Sequence, residues 1–245
     1  AIEKFLHVET LRGKQRLATT SMLLADARTA WARNPRFKYD DTVLGSHYVC
    51  GYRSAQTSCP SSNNAIASGK KVWASENGSD DYNLGGVALA RGINRGYIDG
   101  RMTAYINWPV IAAITPNIPF PTMGVALAAQ PWSGAYSVGK NAWVMAHTTQ
   151  FTAPGWRYLD SASGYLEGNR ANGSYVTLRS PTTGTYSIVI ETMDATAAQT
   201  FTATVTGGLS TSAVHVWSSQ LSSNNPASPF WSCSSQVMSR RISGL

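Results

Sequence analysis

Apolar positions fall in short unbroken runs over the first part of the chain and alternate with polar ones over the last third. Residues 42–48, TVLGSHY, form one run of strand length, ending on His47 and Tyr48. A second, residues 71–75, stops abruptly on Glu76, and residues 101–108, RMTAYINW, form a third, closed by Trp108. Helical signals lie around these strands. Thr and Ser precede good helix formers over residues 19–33, which Asn34–Pro35 stops. Leu84, Val87, Ala88 and Ile93 recur at helical spacing within residues 84–98, although glycines weaken the pattern. Residues 141–151 fit either period and are assigned to a helix, because Trp143, His147 and Phe151 share a face and Pro154–Gly155 ends it. Helix, strand, loop, strand, helix, strand is the rhythm of a parallel barrel or of a doubly wound sheet.

Beyond Pro154 the pattern is one of short strands and turns. TYSIVIE (185–191), TFTATVT (200–206) and AVHVWS (213–218) alternate apolar and polar positions, as expected of an antiparallel sandwich with one wet face. The expected organisation is therefore a parallel α/β portion over residues 1–153, a β-sandwich over 154–220 and a poorly structured tail over 221–245. Residues 1–16 form no unit with the segments after them. Three strands cannot close a barrel, which needs about 250 residues by itself. If they are the closing, C-terminal end of an eight-stranded barrel, roughly the first five strands are missing, and the chain reads as a fragment.

Charged residues make up 13% of the 245, against about a quarter in ordinary globular chains; Thr, Ser, Asn and Gly supply the polar surface instead. The net charge of +7 is concentrated at the ends. Without residues 1–16 and 240–245, fourteen basic groups face eleven acidic ones, or +3. With no Lys/Arg stripe interleaved with aromatics, nucleic acid is not an expected partner. No run of eighteen apolar residues predicts a membrane span. Cys50 and Cys59 bracket a polar loop that a disulfide could close, and two free thiols fit the spacing as well; Cys233 is left over. Secretion is the expectation, with any signal peptide upstream of Ala1. No metal-ligand spacing occurs, and no cofactor is expected.

The stretch KKVWASENGSDDY carries the chemistry. A carboxylate that ends an apolar strand and enters a Gly- and Asp-containing loop occupies the position where parallel barrels place catalytic groups. The competing reading is a loop-edge carboxylate held by Lys70 or Lys71. Trp108, at another strand end, is either a sugar-stacking face or a core plug. His47 is either a site residue or a buried imidazole bonded to a neighbouring strand. Trp132, Trp143, Trp156 and Trp217 are assigned to core packing, and Glu191 to a structural role.

That stretch, together with RGYIDGRMTAYINWPV and AAQPWSGAYSVGKNAWVMAHTTQFTAPGWRYL, resembles the galactosylceramidase family of glycoside hydrolases, family 59, over about residues 42–220. The resemblance implies a (β/α)8 TIM barrel followed by an antiparallel β-sandwich. It also implies removal of β-galactose, with retention of configuration, from galactosylceramide or related β-galactosides. By motif, Glu76 corresponds to the family nucleophile, Ser79 to a nearby site serine, and Trp108 to the tryptophan against the sugar. His47 and Tyr48 correspond to a strand end beside the site. The family's acid/base glutamate sits in an Asn-Glu pair, and no such pair occurs in this chain. Asn77 stands where the family often has Asp, and no arginine follows IETM in the sandwich segment. The fragment is therefore expected to be inactive alone. Two other readings remain: a non-catalytic carbohydrate-binding module centred on residues 156–220, and a retaining enzyme of the glucosylceramidase kind.

Overall fold

The computed structural model describes residues 7–8, 17–20, 43–47, 58, 60–113, 121–203, 213–221 and 232–237. Its helices and sheets are mixed, and the largest sheet has five strands in sequence order. β1 (His7–Val8) runs antiparallel to β2 (Leu17–Thr20); β2, β3 (Val43–His47), β4 (Lys71–Asn77) and β5 (Met102–Asn107) are mutually parallel. Parallel neighbours need long crossovers. Helix α1 (Asn63–Ala67) lies in the one before β4, and α2 (Gly86–Gly100) lies in the one between β4 and β5. Strand order never reverses from β2 to β5, so these strands lack the switch point of a doubly wound sheet. Leu44, Val72, Ala74 and Met102 pack with Ala65 of α1 into one apolar cluster.

A three-stranded sheet comes after β5: β6 (Ile111–Ala113), β7 (Ala126–Gln130) and β8 (Ala135–Val138). Helix α3 (Lys140–Thr149) is next. Val144 of α3 packs on Leu89 of α2 and on Leu221; Leu89 is fully buried, which contributes roughly 2 kcal/mol. Lys140 is buried, and its ammonium donates to the Leu221 carbonyl at 2.9 Å.

The remaining strands are antiparallel. β9 (Arg157–Tyr158), β10 (Gly164–Tyr165) and β12 (Tyr186–Glu191) all pair with the central β11 (Ser174–Arg179). β13 (Ala213–Ser218) pairs with β14 (Ser232–Val237). The other face of α2 lies on β11 and β12. Tyr97 joins Val176 and Leu178 in a cluster and stacks on Tyr158, ring centroids 3.9 Å apart. The Asn94 amide donates to the carbonyls of Ser174 and Val189, both at 3.2 Å.

Several expectations change. Residues 19–20 belong to β2 rather than to a helix; residues 21–42 lie outside the described residues. His7–Val8 and Ser232–Val237, both in segments expected to lack structure, pair as strands. The tail strand carries its own weak alternation, Cys233, Ser235 and Val237, which needed the β13 partner to become a ladder. Residues 200–203 form no strand despite their alternation, and residues 204–206 lie outside the described residues. Phe201 is buried against the Tyr175 ring instead, 5.0 Å between centroids. Trp132 is 98% exposed rather than in the core, because it sits in the turn joining β7 to β8. Trp217 is 41% exposed, touching Phe151.

Candidate active site

The C-terminal ends of β3, β4 and β5 bring His47, Glu76 and Asn107–Trp108 to one edge of the parallel sheet. His47 and Glu76 are register partners. The ladder slips just before them: Ser46 pairs with Ala74 and His47 with Glu76, so Ser75 is an extra residue on β4. Such bulges re-aim the side chains beyond them and are common beside active sites. Glu76 is half-buried and Trp108 is 55% exposed. The Trp108 N–H donates to the Asn77 carbonyl at 2.6 Å, which ties the β5 end to the residue after Glu76. Tyr48, Cys50 and Cys59 lie outside the described residues.

The loop after Glu76 is tightly held. A Cβ on Gly78 would stand 2.8 Å from the Trp108 carbonyl oxygen, so only glycine lets the loop pass beneath that residue. Ser79 is fully buried; its hydroxyl donates to the Asp81 carbonyl at 3.0 Å and accepts from the Asn141 amide. The Asp81 carboxylate accepts from the N–H groups of Asn83 and Leu84, both at 2.7 Å, closing the turn into α2. Tyr82 N–H reaches the Thr122 carbonyl at 2.7 Å.

The Ser75 hydroxyl and Asn107 Oδ1, both near this edge, have no hydrogen-bond partner among the described residues. Asn107 is buried and donates to the Pro109 carbonyl at 3.0 Å through Nδ2. Leaving a buried acceptor unpaired costs about 1–3 kcal/mol, and receiving a ligand is one use that offsets the cost. Asn107 and Asn141 both escaped the sequence reading. Asn141 acts through contacts with distant segments, Asn107 bonds two residues on, and no local pattern marks either.

Retention requires a second carboxyl about 5–5.5 Å from the first. Glu76 is the penultimate residue of β4, and among the described residues no other carboxylate stands at or next to the end of a parallel strand: β2 ends on Thr20, β3 on His47 and β5 on Asn107. Asp81 is committed to its turn. Glu191 is buried far downstream, bonded to the Ser174 hydroxyl and, at 3.0 Å, to the Met193 N–H. Among the described residues no cluster of His, Cys, Asp or Glu could hold a metal ion, and no helix is long and apolar enough to cross a membrane.

Residues 6–150 fit the model of glycosyl hydrolase family 59. The chain belongs to that family. Among curated relatives, the galactocerebrosidase of Mus musculus is 42% identical over 152 residues, 62% of this chain and 20% of its own length. That of Homo sapiens is 36% identical over 193 residues, 78% of this chain and 26% of its own. That of Salmo salar is 38% identical over 152 residues, 62% and 21%. The chain thus spans a fifth to a quarter of the length of these relatives. The family 59 match takes in the Glu76 strand, its loop, Trp108 and the whole of α3.

Proposed function

We propose that this chain carries the nucleophile side of a retaining β-galactosidase acting on galactosylceramide or a related β-galactoside. The observation that carries the reading is the meeting of Glu76, His47 and Trp108 at one edge of four parallel strands in sequence order. In this reading those strands are the closing portion of a (β/α)8 barrel over residues 1–153, and the antiparallel strands of 154–220 belong to a β-sandwich. Glu76 attacks the anomeric carbon: its oxygen forms the glycosyl ester as the bond to the aglycone oxygen breaks, and water later cleaves that ester. The acid that protonates the departing oxygen comes from a part of the family fold that this chain does not match, so the chain alone does not turn over. Trp108 offers an aromatic face to the apolar side of galactose. His47 and Tyr48 border the sugar. Ser79, with its hydroxyl already bonded on both sides, serves the site through the loop that it anchors. Secretion of the natural protein fits its sparse charge.

An activated 2-deoxy-2-fluoro-β-galactoside tests this directly on the full natural protein. Peptide mapping after trapping is expected to find the label on Glu76. A label on any other residue, or none under turnover conditions, removes the assignment. Parallel assays with galactosyl and glucosyl substrates separate the galactose reading from a glucosylceramidase-like one.

A further inference from the structure

Asn141 lies 65 positions beyond Glu76 in the chain, yet its side chain sits at the centre of the nucleophile loop. It is completely buried in the first turn of α3. Its Nδ2 faces three acceptors: the Ser79 hydroxyl, the Asp81 carbonyl at 3.0 Å and the Gly124 carbonyl at 2.5 Å. Two of these are carbonyls and can only accept, which sets the orientation of the amide. Its backbone N–H also donates to the Tyr82 carbonyl at 3.1 Å. The same loop has no slack elsewhere. Gly85 stands so close to Ser79 and Asp81 that a Cβ there would meet the Asp81 carbonyl and Ser79 Cβ at 2.5 Å each.

We infer that Asn141 is a positioning residue: by clamping Ser79, Asp81 and Gly124 it holds the loop that sets Glu76 against Trp108. The inference rests on the reading of Glu76 as nucleophile. Four residues separate Glu76 from the Asp81 carbonyl, with Asn77 and Gly78 bonded or packed against Trp108 on the way. Slack at the clamp therefore reaches the attacking carboxylate through a short, otherwise fixed path. Asn141 Oδ1 is buried with no hydrogen-bond partner among the described residues, so the amide is held for its donors, at a cost in stability that an apolar residue would avoid.

The test is Asn141→Asp in the full natural protein, which keeps the shape and turns the donors into acceptors facing carbonyls. Fluorogalactoside trapping counts the competent sites, and both the trapping rate and turnover per trapped site are then measured. Positioning predicts a fall of roughly tenfold to a hundredfold in both, the size expected for an ångström-scale misplacement. A purely structural role predicts fewer competent sites, each turning over at the wild-type rate, and that result overturns the inference. Should Asn141→Asp fail to fold, Asn141→Ser keeps one donor without the charge. Slower trapping in that variant supports the clamp, and an unchanged rate refutes it. Glu76→Gln is run alongside. If it still turns over, the nucleophile reading itself fails; if it is dead while the Asn141 variants match wild type per site, only this inference fails.

Discussion

The strand-end edge around Glu76 and the seam between α2 and the antiparallel sheet differ in what they pair and what they expose. In the seam, buried charges are paired. Arg91 meets Asp194 at 2.7 Å, Arg95 meets the other oxygen of Asp194 at 3.0 Å, and Arg170 meets Asp99 at 2.6 Å. Arg95 also donates to the Arg170 carbonyl at 2.9 Å. Tyr97 donates to Asp160, and burial together with that carboxylate pushes its phenol up to about 12. The seam also buries an acceptor without a hydrogen-bond partner among the described residues, Asn94 Oδ1, as the edge does with Asn107 Oδ1. The difference therefore lies in exposure: Trp108 shows more than half its surface and Arg95 none. Charges that hold two layers together must satisfy each other, because desolvation otherwise exceeds what they gain. A binding edge keeps ring faces open for its ligand.

The largest effect is expected at the edge. Glu76→Gln in the full natural protein should lower kcat by at least about 10³-fold while leaving the urea midpoint unchanged. A large loss of stability in that variant would blur the contrast, since it would make Glu76 a structural carboxylate. The mirror experiment is Arg95→Ala. Removing a fully buried guanidinium leaves Glu191 and Asp194 without it and should cost about 3–5 kcal/mol in urea unfolding, with turnover per trapped site unchanged. Trp108→Ala should cost about 1 kcal/mol of transition-state binding, roughly fivefold in kcat/KM, with little change in stability.

The smallest effect belongs to His147, which contacts the Ser219 hydroxyl at 2.9 Å and whose pKa burial lowers from the ordinary 6.5. Above 6.5 the imidazole is neutral in both folded and unfolded chains. As pH falls below 6.5 the unfolded chain takes up the proton first, so stability declines until the folded pKa is passed and then no further. Urea midpoints should therefore drop between neutral and mildly acidic pH, and His147→Gln should flatten the drop. An imidazole NMR titration that returned the ordinary value would remove the prediction.

The edge was more legible than the seam. β3, β4, β5, α2 and α3 announce themselves because an apolar run or a 3.6-residue period is local information. The strand-end position of Glu76 comes from the same runs. The short strands β6 to β10 escaped, since two to five residues are too few to show a period, and β11 escaped although Val176 and Leu178 alternate with their neighbours. Trp132 misled because hydrophobicity does not say whether a partner surface exists. The described start of TFTATVT, residues 200–203, misled similarly: alternation describes a strand only when another strand lies alongside.

The sequence by itself determined which segments extend or coil, where a carboxylate would end a strand, and the kinship that its motifs display. Those properties depend on neighbours within a few residues. Tertiary structure alone decided that His47 stands in register with Glu76, that Asn141 grips the loop beyond it, and that Arg95 neutralises carboxylates about a hundred positions away. Such contacts are chosen by packing and by the need to satisfy every buried charge, constraints that exist only once distant segments share one interior.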